Sequence, residues 1–227
     1  MTGWLIRHER PVAYGDAFAE MHDLADRRLE GDAPDTLLLL EHPPVFTAGR
    51  RSKPEHLLWN ETDLRERGAT VVEADRGGSF TFHGPGQLVG YPILDLGASP
   101  DVPSYLRNLE EVVIRAAADL GVELNRNPMQ TGVWAGDQKV CAIGIKLMRA
   151  RITLHGFAIN CDTDLAWFQG IVACGLPDAG VTSLSRLAGR KITVGETAGP
   201  IATRFQEVFG VNLFAPRWEL GAPGLAV

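Results

Sequence analysis

The chain reads as an α+β fold in one domain, 1–227, and three observations predict it. Stretches 132–134, 139–147 and 152–160 follow one another as strand-like segments joined by short turns. Strands joined this way run antiparallel, so the sheet is not the purely parallel sheet of a doubly wound fold. Stretches 16–30 and 103–120 carry apolar residues at helical spacing, so helices accompany the strands. No linker divides the 227 residues, which are enough to bury a sizeable core.

The elements follow in order. Residues 4–7 make a short strand. Asp16 caps a helix reaching about Glu30, with Phe18, Met21, Leu24, Ala25 and Leu29 on one face. The unbroken aliphatic run 36–40 is a buried strand. A long loop, 41–56, carries His42-Pro43-Pro44. A short helix at 62–67 ends at Gly68, and 70–74 is a strand. Next comes DRGGSFTFHGPGQLVGYP, 75–92, with five glycines in eighteen positions. Glycine costs backbone entropy, so that density asks for positive φ, a bulge or close approach to a ligand. Between its turns, Phe80 and Phe82 alternate with Ser79, Thr81 and His83. Such a segment suits a wall of a pocket for a slender apolar group, or an ordinary hairpin with two flexible turns. Pro103 opens the clearest helix, ended by Gly121, with Leu106, Leu109, Val113 and Ala117 inward. Segment 162–180 is irregular around one helical piece at 165–168. A last helix lies near 200–209, its start obscured by Gly195, Gly199 and Pro200. From Ala215 the tail is expected to be loose.

Composition excludes several classes. The longest aliphatic run, 37–40, is too short to span a bilayer, and the N-terminus has no signal-peptide pattern. Cysteines at 141, 161 and 174 form an odd set without C-x-x-C spacing, which points to reduced thiols and a cytoplasmic location. A net charge of −6 argues against a general nucleic-acid binder. Arg50, Arg51 and Lys53 form a local basic cluster, either a solvated loop or a dock for something acidic. Phosphate-loop, dinucleotide and G-x-S-x-G signatures are absent. His42, His83 and His155 share no i, i+4 ligand pair, so no metal site is expected.

Two residues stand out as chemistry. Cys174, between Ala173 and Gly175 in IVACGLPDAGVTSL, is sterically open for a nucleophile, although a lone cysteine more often fills space. Lys139 opens the largely apolar strand KVCAIGIKL. It is either a partly buried functional lysine or a snorkelling one at a strand edge. Alternation puts Cys141 on the face of Lys139, making it a rival nucleophile.

RGGSFTFHGPGQLVGYP, QKVCAIGIKL, TLHGFAINC and VACGLPDAGVTSL, in this order and spacing, closely resemble the lipoyl(octanoyl) transferases of lipoate biosynthesis. EHPPVFTAGR at 41–50 matches as well, and the similarity runs from about 37 to 187. The resemblance implies a fold like biotin and lipoate protein ligase catalytic domains: a mixed, largely antiparallel sheet with helices, plus a smaller sheet. It implies octanoyl transfer from acyl carrier protein to a lysine of lipoyl domains, those of 2-oxoacid dehydrogenase complexes and of the glycine cleavage H protein. By position, Cys174 aligns with the acyl-thioester nucleophile and Lys139 with the lysine that lowers its pKa. Arg76, Gly77, Gly78, Ser79, Phe80, Thr81, Phe82 and His83 align with acyl-site segments. So do Ala142, Ile143 and Gly144, and Gly156, Phe157 and Ala158. No cofactor, metal, nucleic acid or membrane is implied, and a monomer is expected.

The chemistry is consistent with those residues. A thiol of pKa about 8.5 is only about 3% thiolate at pH 7, and a one-unit depression raises that to roughly a quarter. A neighbouring ammonium supplies that scale. Thiolate attack on a thioester is nearly isoenergetic, so the first step needs no nucleotide. Two rival functions share the expected fold: an adenylating ligase, which would need ATP and leave Cys174 idle, and a non-catalytic acyl- or carrier-binding module, which would form no adduct.

Overall fold

The computed structural model describes residues 1–172 and 180–216. The elements are β1 (Thr2–Arg7), α1 (Tyr14–Glu30), β2 (Asp35–Leu40), β3 (Val45–Ala48), α2 (Glu61–Glu66), β4 (Thr70–Glu73), β5 (Phe80–His83) and β6 (Gln87–Ile93). There follow α3 (Val102–Asp119), β7 (Asn125–Arg126), β8 (Val133–Ala135), β9 (Gln138–Met148), β10 (Ile152–Asn160), β11 (Gly180–Val181), α4 (Leu184–Ala188), α5 (Val194–Phe209) and β12 (Asn212–Phe214). The large sheet runs β12-β1-β2-β6-β10-β9-β8-β7, with β11 against β9, and a small sheet runs β4-β3-β5. From β2 to β7 the large sheet is antiparallel, and β12, β1 and β2 pair in parallel. The α+β class and the smaller second sheet are as expected.

Alternation along β2 explains its unbroken aliphatic run. Leu37 and Leu39 pack into a core with α3 and α5, while Leu38 and Leu40 pack on the other face with Met21, Leu24 and Ala25 of α1. A strand covered on both faces has no polar side to show. A third cluster, with Phe46, Leu64 and Phe82 at its centre, joins the small sheet to α2.

Three expectations need correction. The 41–56 loop contains strand β3, because Val45-Phe46-Thr47 finds partners on both sides that are distant in sequence. Helix α1 starts at Tyr14 with Ala13 at its cap and no side-chain cap bond, so Asp16 sits in the first turn instead. Helix α5 begins at Val194, where Thr193 caps it through Glu196 N–H at 3.1 Å, and it runs straight through Pro200. An interior proline costs roughly 3 kcal/mol. Burial of Ala198, Ile201, Ala202 and Phe205 on that helix offsets it. The tail expected from Ala215 lies, beyond residue 216, outside the described residues.

Candidate active site

The glycine-rich segment is held as one rigid wall by Arg76. Its buried guanidinium donates through Nη1 to Gly77 O (3.0 Å) and Ser79 O (2.9 Å), and through Nη2 to Thr47 O (2.7 Å) and Thr47 Oγ1 (2.6 Å). The planar fork thus ties the turn to β3, a geometry that a point-charge lysine cannot copy. Gly78 adopts φ +90° as the glycine density foretold. Gly77 N–H donates to Ile145 O at 3.0 Å, fastening the turn to β9.

Between this wall, β6, β9 and β10 lies a cavity of about 420 Å³, within the usual range for small-ligand sites. Of the acyl-site candidates, Phe82 does not line it; Arg76, Gly77, Gly78, Ser79, Phe80, Thr81, His83, Ala142, Ile143, Gly144, Gly156, Phe157 and Ala158 all do. Phe82 instead stacks on Trp167, ring centroids 4.9 Å apart and 8° from parallel, in the core of the small sheet. Glycine at 156 serves the sheet: a Cβ there would lie 2.3 Å from Gly90 O. The Phe157 ring in turn lies against the bare Cα of Gly90.

Tyr14, Val89, Tyr91, His155 and 129–131 also line the cavity and were not picked out for it from sequence. Tyr14 shares an i, i+4 helical face with Phe18, and Tyr91 alternates with Val89 in β6, patterns that also describe ordinary core. His42, His83 and His155 do gather in one buried region, with the His42 and His83 rings 5.7 Å apart. Among the described residues no group of His, Cys, Asp and Glu could hold a metal.

All three imidazoles are kept neutral. Burial pushes His42 down to about 4, opposed weakly by its hydrogen bond to Val12 O. Tyr91 Oη sits 2.8 Å from His42 Nε2. Burial likewise drives His83 well below its ordinary value. His83 Nδ1 bonds Gln87 Oε1 at 2.7 Å, and Gln87 Nε2 donates to Asn160 Oδ1 at 2.9 Å. Burial lowers His155 to about 4 despite the Asp75 carboxylate 2.6 Å away. Burial opposes ionisation of Asp75, but hydrogen bonds from Lys146 and His155 outweigh it and hold its carboxyl below the usual range.

Lys139 lies at the cavity wall, 8% exposed, with Nζ 4.6 Å from the centroid of the Trp134 ring. Cys141 does not share its setting. A bulge in β9 puts Cys141 opposite Val133 and Lys139 opposite Trp134, so period-two alternation does not carry across Val140. Cys141 packs in the core, and burial pushes its thiol well up. Cys161 is buried too, and burial pushes it up to about 12. Cys174 lies outside the described residues. The chain on either side of its segment is anchored. Val172 N–H donates to His56 O (2.9 Å), His56 Nδ1 bonds the cavity residue Ser79 at Oγ (2.7 Å), and Gly180–Val181 pairs with Gln138–Lys139.

The fold is that of lipoate and biotin protein ligases. A two-component lipoate protein ligase from Thermoplasma acidophilum, solved in a study that includes its E2 lipoyl domain, superposes with TM-score 0.77 at 16% identity, covering 95% of this chain and 87% of that one. Biotin protein ligase from Aquifex aeolicus, in complex with biotin and ATP, superposes with TM-score 0.57 at 12% identity over 91% and 70%. A family model, the lipoyl protein ligase A/B catalytic domain, matches residues 13–206, and the chain belongs to that family. Within it the chain is an acyltransferase of the octanoyltransferase branch. It is 50% identical over 198 residues to the octanoyltransferase of Rubrobacter xylanophilus, covering 87% of this chain and 89% of that protein.

Proposed function

We propose that this protein transfers an octanoyl or lipoyl group from acyl carrier protein to a lysine of a lipoyl domain through a thioester on Cys174, the first step of endogenous protein lipoylation. The observation that carries the proposal is Lys139 on the wall of the cavity, paired through its strand with one of the two anchors of the Cys174 segment. Family membership supplies the reaction class. The acceptors are the lipoyl domains of 2-oxoacid dehydrogenase complexes and the glycine cleavage H protein, met by a monomer in the cytoplasm without a cofactor.

In the first step the Cys174 thiolate attacks the octanoyl carbonyl. A new C–S bond forms, the C–S bond to the carrier breaks, and the carrier thiolate leaves with a proton from the Lys139 ammonium. In the second, the neutral amine of the target lysine attacks the Cys174 thioester. The C–N bond forms, the C–S bond breaks, and the surplus amine proton goes to Lys139, which the first step left neutral. Both residues end as they began. The acyl chain meanwhile lies along Ala142, Ile143, Gly144, Gly156, Phe157 and Ala158, and along Arg76, Gly77, Gly78, Ser79, Phe80, Thr81 and His83, walls that carry no net carboxylate.

Intact-mass spectrometry after mixing with octanoyl-loaded carrier protein tests this directly. One added octanoyl group is expected, lost in Cys174→Ser, with no requirement for ATP. An adduct persisting in that variant would reassign the nucleophile. Transfer that depends on ATP and survives Cys174→Ser would make the protein an adenylating ligase.

A further inference from the structure

A buried carboxylate outside the cavity reaches its lip. Glu110 of α3 has a fully buried side chain. Its Oε2 accepts from Arg107 Nη1 at 2.6 Å and faces Arg126 Nε at 3.3 Å, while its Oε1 accepts from Gly132 N–H at 3.0 Å. Gly132 ends the loop between β7 and β8, whose Met129, Gln130 and Thr131 line the cavity. At φ +125° Gly132 occupies backbone space that favours glycine. A Cβ there would stand 2.6 Å from Cys141 O and 3.4 Å from Lys139 Cε. The loop therefore backs onto the stem of Lys139, and two residues further on Trp134 presents its ring to the same ammonium.

We propose that Glu110 is a positioning residue for Lys139. By pinning the Gly132 amide it seats the loop against the lysine stem and holds the ammonium over Trp134, facing the cavity. The two arginines engage Oε2 and orient Glu110, so that the second oxygen is left for the glycine amide. The inference rests on Lys139 as the proton-transfer group of the proposed reaction, but the placement of Lys139 is measurable without any turnover.

The readout is the NMR signal of the Lys139 ε-CH₂, expected upfield from the Trp134 ring current because Nζ lies 4.6 Å from the ring centroid, together with steady-state kinetics using octanoyl carrier protein and a lipoyl domain. Glu110→Ala should collapse that shift and lower kcat more than tenfold, leaving KM for both substrates within about twofold. Glu110→Gln keeps an acceptor for Gly132 N–H and should retain the shift and a kcat within about threefold. Gly132→Ala disturbs the stem from the other side with Glu110 intact, and should lose the shift as well; it serves if Glu110→Ala does not fold. An unmoved Lys139 signal in Gly132→Ala or Glu110→Ala overturns the proposal. So does Gln behaving like Ala, which would make Glu110 only a partner of its arginines. If the signals move as expected while Lys139→Ala transfers normally, the positioning stands and the proton role of Lys139 falls.

Discussion

The cavity treats polar groups differently at its rim and in its depth. At the rim Arg51 is exposed and Met129 is 87% exposed, while Lys139 is buried in the wall against an indole. In the depth His83, His155 and Tyr91 are buried, backed by His42, and burial holds each in its uncharged form. Arg76, as buried as Lys139, has its Nη donors occupied by carbonyl and hydroxyl oxygens. A buried ion without partners costs far more than a neutral, hydrogen-bonded ring. The difference teaches that polarity and charge are separate tools here. Neutral polar groups line much of the cavity, and under the proposed reaction the charges of Lys139 and Arg51 serve the thiolate and the protein partner.

Removing the charge of Lys139 should have the largest effect. Lys139→Ala takes away both the ammonium beside the proposed thiolate and the proton acceptor, so transfer should fall by about two to three orders of magnitude. The melting temperature should change little. The apparent pKa of Cys174, followed as the pH dependence of iodoacetamide alkylation, should rise. Unchanged reactivity would reduce Lys139 to a packing residue of β9.

The deep end makes a separate, pH-dependent prediction. His42 and His155 have folded-state values of about 4 against 6.5 when unfolded, so below pH 6.5 the unfolded chain binds protons that the folded chain refuses. Stability should be level above pH 6.5 and fall between 6.5 and 4, by about 3 kcal/mol for each imidazole. Asp75 acts elsewhere: its depressed value gives stability that is present above the ordinary carboxyl range and lost only as pH falls through the folded value. Urea unfolding at a series of pH values, repeated with His155→Asn, should show a shallower decline in the variant. A flat profile in the parent would mean these rings are charged in place.

How much of this was legible in the sequence depends on the distance between partners. The helix at Pro103, strand β2 and the antiparallel run to β10 follow from local periodicity. The pocket wall at 76–83 was marked by glycine density, and its turn does carry positive φ at Gly78. Strand β3 was hidden because its partners β4 and β5 lie far along the chain. The inward start of α5 was hidden because tertiary burial overrode a proline. Phe82 was misplaced because alternation pairs it with Phe80, which does line the cavity, whereas the partner that draws Phe82 into the small-sheet core, Trp167, lies far along the chain. Glu110 and Gly132 carried no signal at all, since their link joins a helix to a loop 22 residues away.

A smaller effect is expected where the rim meets a protein partner. Arg50 and Arg51 are exposed beside the cavity wall, their backbone N–H groups bonded to Arg76 O and Gly78 O. Their side chains can meet an acidic carrier although the protein carries a net charge of −6. Charge reversal at both should raise KM for the carrier-borne acyl group about tenfold at low salt and converge with the parent at high salt. KM for a small octanoyl thioester should not move. Equal changes for both donors would place the dock elsewhere.

The smallest effect on rate should come from the two described cysteines, which sharpen the contrast between a buried thiol and a reactive one. Cys141 is close to Lys139 in sequence, and spacing alone makes it a rival nucleophile. Its surroundings argue otherwise. It has no exposed surface, it packs in the core against the α3 side of the sheet, and burial pushes its thiol up rather than down, outweighing the pull of Lys139. A thiolate there would be an ion in an apolar core, and an acyl group on it would have no room in a close-packed interior. Cys161, bonded through its backbone to Gly86 and Ser185, is in the same position. The double change Cys141→Ala with Cys161→Ala should therefore cost about 1–2 kcal/mol per site through lost packing. It should leave transfer within a few-fold and the octanoyl adduct intact. Should Cys141→Ala alone abolish the adduct while Cys174→Ala preserves it, burial would have failed as a guide to reactivity here, and the nucleophile would lie in the core.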